Sequence, residues 1–484
     1  MSNTSRLWPS LPELRENAGD VFTLFASLWA VVALFHVLGP SGGAVAIFSN
    51  PTALGLSHVL LAICAIWLLA RPVHNLPFIL VAVLGLITAW EEAPTLGNHW
   101  LLAAFVDLSL LLSTLFTLWD GNTNRDRLAE VFLPLARWCL LLFYSFAAFS
   151  KLNSAFFDTA VSCSTYYFDE TVRSMGFATP LTVGAGGVAR LLPFVAVITE
   201  LSIPILLVNR RTRILGVVVG LSFHSLIALD RLHLFVDFSS VLAAMFVLFL
   251  PVRFAVSALD FLRGKGALLR ALWATVAGLV LVAQWIGKNG FAYLEGRLFI
   301  WYMFDAILLL GVVIWLARHR GQVLERPLTL RGKGPIWLAV VPVLLVLNGL
   351  LPYFELRTGY AYTMYSNLRM VDGTSNHFIV RYSLPLASRQ ANLVKVIASS
   401  DPSLRLYDTY NYLLPWDSFR AYLAKHSDIA VIYERGGERY AVDRASHYPE
   451  LVTSPPVLAQ KLLAMRAVDG NDEPRCQDVF LPAL

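Results

Sequence analysis

Lys151 stands where an apolar stretch of the chain gives way to a polar one, two residues before Asn153. An amine at such a place has two uses. An ordinary lysine, with a pKa of about 10.4, is protonated, and its long stem lets the charge snorkel to a headgroup layer. A sheltered amine favours the neutral form and can then accept a proton from a substrate. His224 lies inside another apolar stretch, where an imidazole either bonds a neighbouring helix as packing or handles protons. Asp107, Glu200 and Asp305 sit deeper in similar stretches. Ionisable groups in such settings are costly and are functional candidates by default, although Glu200 and Asp305 also fit as paired structural charges.

These groups need elements to position them. A membrane-crossing helix takes about 20 mostly apolar residues. Stretches of that kind run near 21–38, 53–70, 73–90, 98–119, 128–150, 190–208, 212–229, 232–250, 267–286, 298–317 and 335–351. Assigning the N-terminus to the cytoplasm puts 17 Lys and Arg residues in the segments on that side and 5 on the other, the asymmetry that orients membrane proteins. Eleven crossings then leave the residues after Leu351 outside. The expected fold is an all-α polytopic membrane protein of about eleven transmembrane helices (residues 1–351), followed by a small extracytoplasmic α+β domain (residues 352–484).

Composition agrees. The 484 residues are 57% hydrophobic and 15% charged, with a mean hydropathy of +0.61, whereas soluble domains carry about 25% charged residues. The net charge of +5 follows from the basic inner loops and implies no nucleic-acid partner. The first stretch reads as a span and not as a cleaved signal, because Glu13, Glu16 and Asp20 precede or open it.

With this orientation His36, His58, Glu91, Glu92, His99, Lys151, His224, His233 and Asp237 all fall in the outer half, and His74 is the exception. The asymmetry implies a polar cavity opening outward beneath the tail. No metal site is expected. The histidines form no HxxxH or HExxH pattern, and His233 with Asp237, four apart on one helix face, supplies only two ligands. Cys64 and Cys139 lie within spans. Cys163 and Cys476 share the outer side, where an oxidising compartment allows a disulfide; the alternative is two free thiols. In the tail, His377–Tyr382, Leu393–Ala398 and Ile429–Tyr433 read as strands, Glu434–Glu438 as a hairpin turn, and Asp417–His426 and Val457–Val468 as short helices.

Three motifs carry a resemblance. The segment Phe143-Tyr-Ser-Phe-Ala-Ala-Phe-Ser-Lys-Leu-Asn153 resembles the signature of the horizontally transferred transmembrane (HTTM) family, which is related to vitamin K-dependent gamma-carboxylase. Glu200–x3–Pro204, the basic turn Asn209–Arg213 and Phe223-His224 form the second match. Pro352-Tyr353, Met364–Arg369 and Ser375-Asn376-His377 form the third. The chain departs from the carboxylase at Ser150, where a second lysine is usual, and at Asn153, where an aspartate is.

The resemblance implies that Lys151 matches a lysine that deprotonates a reduced quinone of the menaquinone or vitamin K type. The quinone and oxygen then provide a base that removes a carbon-bound proton, and carbon dioxide adds. It implies His224 as a second catalytic group. Tyr144, Asn153, Glu200, Asn376 and His377 are the expected substrate- or cofactor-binding residues, with Asn376 and His377 reaching down from the tail. The expected partners are lipid, quinone and a secreted polypeptide, in a bacterial plasma membrane. The alternative is a non-catalytic maturation or export partner.

Overall fold

The computed structural model describes residues 18–37, 53–176, 187–230, 235–263, 291–319, 330–363, 365–387 and 389–477. The described residues are mostly helical, with a strand-containing region confined to the C-terminal part. In chain order the helices of the first part are α1 (Ala18–Val37), α2 (Ala53–Ala70), α3 (Asn75–Glu92), α4 (Asn98–Trp119), α5 (Arg125–Phe149), α6 (Cys163–Ser174), α7 (Gly187–Val208), α8 (Arg213–Ile227), α9 (Val236–Val247), α10 (Val252–Arg263), α11 (Phe291–Arg318) and α12 (Val340–Leu350).

Among the described residues seven helical segments are long and apolar enough to cross a membrane: α1, α3, α4, α5, Ala189–Val208, Leu298–Arg318 and Ile336–Phe354. This is the architecture of a multi-pass membrane protein. Its outer surface agrees, since Ile198, Ile205, Leu226 and Leu310 are more than half exposed, a poor arrangement in water. The other four expected spans differ. Stretches 53–70 and 212–229 are the shorter apolar helices Gly55–Ala70 and Arg213–Ile227. The 15 residues of α8 reach only about 22 Å at 1.5 Å each. The stretch 232–250, expected as one span, is α9, which turns through 117° into α10. Pro251 sits at the break and has no N–H with which to continue the helix. The last expected span, 267–286, lies outside the described residues, as does His233.

Helix ends alternate. At one end of the bundle Arg125 bonds the Asn75 side chain and the Pro72 carbonyl, Asp126 accepts from the Gly19 N–H, and Lys333 meets Glu130. At the other end Tyr362 N–H donates to Asn98 Oδ1 at 2.9 Å, and Lys461 donates to the Trp90 and Ala93 carbonyls. The core is centred on α9, whose residues from Val241 to Val247 are almost wholly buried. A helix that is apolar all round belongs inside a bundle. Its break leaves carbonyls without helical donors, and the buried Arg137 of α5 donates Nε to the Leu248 carbonyl at 2.8 Å.

The tail's own apolar core begins at Val394 and gathers Val396, Leu404, Tyr407, Phe419, Leu423, Val431 and Tyr433. Its antiparallel sheet joins Lys395–Ser399, Val431–Arg435 and Glu438–Val442 in that order. The hairpin pairs Arg435 with Glu438 across Gly436 and Gly437. Both glycines have positive φ, 60° and 82°, which a two-residue turn of this hand requires. The segment His377–Tyr382 is not a strand. Its strand-like pairing is limited to isolated bridges, His377 with Asn153 and Tyr382 with Thr374. Residues 375–386 instead run as a strap over the bundle end, with Phe378 N–H on the Leu152 carbonyl and Leu384 N–H on the Tyr353 carbonyl.

Candidate functional site: a buried lysine–glutamate pair beside a tyrosine–histidine pair

Tyr144 and Lys151 are seven residues apart, two helical turns, so the end of α5 presents both on one face. Side chains lean toward the N-terminus of their helix, and Lys151 does so: its Nζ donates to the Ala147 carbonyl at 3.2 Å. The residue is 6% exposed, pointing into the bundle. There Nζ lies 2.8 Å from Glu200 Oε2 and 6.0 Å from the centre of the Phe156 ring. Glu200 belongs to α7, four residues before Pro204. Proline has no N–H to give to the carbonyl four residues back, so the Glu200 carbonyl lacks its helical partner.

Deeper along α5 the Tyr144 hydroxyl bonds His224 Nε2 of α8. Both residues are buried. The rings of Phe238 and Phe246 pack on the imidazole, with centroids 4.9 and 6.2 Å away. His224 Nδ1 is buried without a hydrogen-bond partner among the described residues. Lys151, Glu200, Tyr144 and His224 thus form one interior polar patch drawn from three helices.

Asn153, Asn376 and His377 do something else. Asn153 Oδ1 accepts from Phe156 N–H at 2.9 Å, capping the helical turn Ser154–Phe157. Its Nδ2 donates to the Ser150 and Ser366 carbonyls. Asn376 bridges Asn153 Oδ1 and the Asn367 carbonyl and accepts from Arg369 N–H. His377 Nε2 meets the Phe149 carbonyl at 2.9 Å, while Nδ1 accepts from the Ile379 and Val380 N–H groups. That pattern assigns the proton to Nε2. Burial holds the His377 pKa below its ordinary value, partly offset by the bond to Phe149. The first and third motifs therefore converge as a clasp between bundle and tail, with the side chains of Asn153, Asn376 and His377 engaged in holding it.

Beside the clasp, Cys163 and Cys476 are joined by a disulfide, with Cα atoms 4.7 Å apart. Cys163 N–H also donates to Asn367 Oδ1. Tyr365 packs against Tyr167 and Phe235, and burial pushes its phenol up to about 12.

Two groups escaped the sequence reading. Arg137 is a charge in the middle of an apolar stretch, a signal that the same search for buried charges should have caught. His36, His58 and Glu92 were each placed in the outer half, but nothing in their spacing joined them. The fold brings their ligand atoms within 4.8 Å of one another, the one set among the described residues able to hold a metal ion. Of His233 and Asp237, the described member, Asp237, meets His99 at 3.4 Å.

No protein-family model matches the chain, and no curated protein or solved structure matches it.

Proposed function

We propose that the chain is a multi-pass membrane enzyme of the gamma-carboxylase-like HTTM type. In this reading Lys151 is the base, and an extracytoplasmic substrate, a secreted polypeptide, is modified with the help of a reduced membrane quinone. The observation that carries the reading is the Lys151–Glu200 contact of 2.8 Å inside the bundle, next to the Tyr144–His224 pair. The topology that goes with it has eleven crossings, a cytoplasmic N-terminus and an extracytoplasmic tail in a bacterial plasma membrane. Reporter fusions after Arg213 and Gly359 should then report opposite sides.

The residues suit a quinone. His224 Nδ1 is a buried polar atom without a partner among the described residues, and Phe156, Phe238 and Phe246 offer apolar surface around the polar patch. When bound, a reduced quinone would supply, with oxygen, a base strong enough to take a carbon-bound proton. Lys151 Nζ passes a proton to Glu200 Oε2, which frees its lone pair while the pair keeps its net charge. The Nζ can then accept a proton from an acidic hydroxyl held beside it. The Tyr144 hydroxyl fixes the imidazole, so that Nδ1 faces any ligand oxygen from a set position.

The test is oxygen uptake by the purified chain given reduced menaquinone, together with labelled bicarbonate and co-expressed secreted polypeptides. Wild type should consume oxygen, and Lys151→Arg should not, because guanidinium stays protonated. No uptake by wild type, or full activity in Lys151→Arg, overturns the base role. The clasp made by Asn153, Asn376 and His377 favours a second reading, a non-catalytic maturation partner in which the motif residues serve the fold. Under that reading Lys151→Arg, which keeps an ion pair with Glu200, would still support maturation of the partner polypeptide.

A further inference from the structure

We propose that His36, His58 and Glu92 bind a divalent transition-metal ion of the zinc type. The three residues come from different helices, the last turn of α1, the first turns of α2 and the end of α3. His36 Nε2 lies 2.7 Å and His58 Nε2 2.8 Å from the same oxygen, Glu92 Oε1. All three side chains are at most 6% exposed. The two imidazoles stack with centroids 5.3 Å apart, and the Trp100 ring packs edge-on against His36 at 4.0 Å. Neighbouring Glu91 is engaged separately, by the Ser57 hydroxyl.

Two imidazole nitrogens and one carboxylate oxygen are the donor set of zinc sites that keep a fourth position open, and of ferrous sites with two histidines and one carboxylate. The charges fit as well. A buried carboxylate needs compensation, and a dication provides it. Without an ion, the contacts have hydrogen-bond length. On binding, the Nε2 lone pair of each imidazole faces the ion. Bonds of about 2.0–2.1 Å to a tetrahedral centre place ligand atoms roughly 3.3 Å apart, so the two nitrogen–oxygen distances lengthen by about half an ångström. Beside His36 a cavity of about 30 Å³, lined also by Thr88, Trp100 and Asp107, has room for a water.

This site is separate from the Lys151 patch, shares none of its residues and stands whether or not the chain carries out quinone chemistry. The experiment uses the full chain in detergent, stripped with chelator, exposed in separate samples to Zn²⁺, Co²⁺ and anaerobic Fe²⁺, desalted, and assayed by elemental analysis. Wild type should retain about one Zn²⁺ per chain, and Co²⁺ should give the visible bands of a tetrahedral nitrogen–oxygen site. Glu92→Gln and His58→Gln should lose both signals while keeping the Cys163–Cys476 disulfide and the wild-type elution profile. If either variant fails to fold, the wild-type measurements decide alone. Wild type without retained metal and without Co²⁺ bands overturns the site, as does either variant if it folds and retains as much metal as wild type. Preferential retention of Fe²⁺ over Zn²⁺ would overturn the zinc assignment.

Discussion

Replacing Lys151 by methionine should destabilise the bundle far more than replacing Lys151 and Glu200 together. The two side chains are 8% and 13% exposed and their charges lie 2.8 Å apart. At that distance the gross attraction is about 6 kcal/mol with an effective dielectric constant near 20. Desolvation of both groups offsets most of it, so the net value of the pair is small. Removing one partner is another matter, because the survivor keeps its desolvation cost without compensation, typically about 3–5 kcal/mol. Lys151→Met and Glu200→Met should each fall in that range. The double variant should lie within about 2 kcal/mol of wild type, since well-packed apolar substitutes for buried pairs are often neutral or stabilising. Cys139 provides the readout. It is fully buried, so its alkylation during a denaturant series, in a Cys64→Ser background, follows unfolding. Additive single effects, within about 0.5 kcal/mol, would mean that the two groups do not share a buried contact, and the proton exchange proposed for Lys151 would fall with them.

Asn153→Ala removes a helix cap and leaves the Ser150 and Ser366 carbonyls without a donor; a loss of about 2–4 kcal/mol in clasp stability should appear as faster proteolysis of the tail, and an unchanged rate would refute the clasp. His377 has a folded pKa lowered by burial, so its contribution is complete above the unfolded value of about 6.5 and is lost as pH falls through the folded one. Thermal unfolding should therefore shift down between pH 7.5 and 5 in wild type more than in His377→Gln; equal shifts would count against a buried neutral imidazole. Gly220→Ala would push a methyl group into the Phe246 ring, which packs on both Tyr144 and His224. Overpacking of this kind costs about 1–3 kcal/mol and should reduce any His224-dependent activity, as measured beside a Gly311→Ala control, where the added methyl meets open space.

The helical class and the shared side of Cys163 and Cys476 are legible in the sequence because they follow from hydropathy and alternation. The break at Pro251 was less so. The residues 232–250 are uniformly apolar, and hydropathy does not distinguish a straight span from a helix buried on all sides and turned by 117°. Arg137 was the remaining clue, because a buried guanidinium needs acceptors and a broken helix supplies them. Within the candidate site, Lys151 and Glu200 both stood out as charges in apolar surroundings, but their pairing depends on how α5 and α7 pack. The structure brings Asn153, Asn376 and His377 together, through the bridge from Asn153 to His377. Their use was not readable, since an amide that caps a helix and one that binds a ligand look alike in sequence. The three-residue cluster at His36 was hidden for the same reason, as its members are 22 and 34 positions apart.

The disulfide also acts as a parity constraint. Cys163 and Cys476 can bond only on one side of a membrane, so the chain between them crosses an even number of times. Among the described residues of that interval three segments are long enough to cross in full, Ala189–Val208, Leu298–Arg318 and Ile336–Phe354. Three is odd, so the rest of the interval, which includes the short α8 and the bent α9–α10 pair, must contribute an odd number of crossings. A topology in which α8 and the bent pair both dip in and return, with no other crossing, is incompatible with the bond. One covalent link thus tests every assignment of the chain's second half at once: whichever elements are taken to traverse the bilayer, the sum must close.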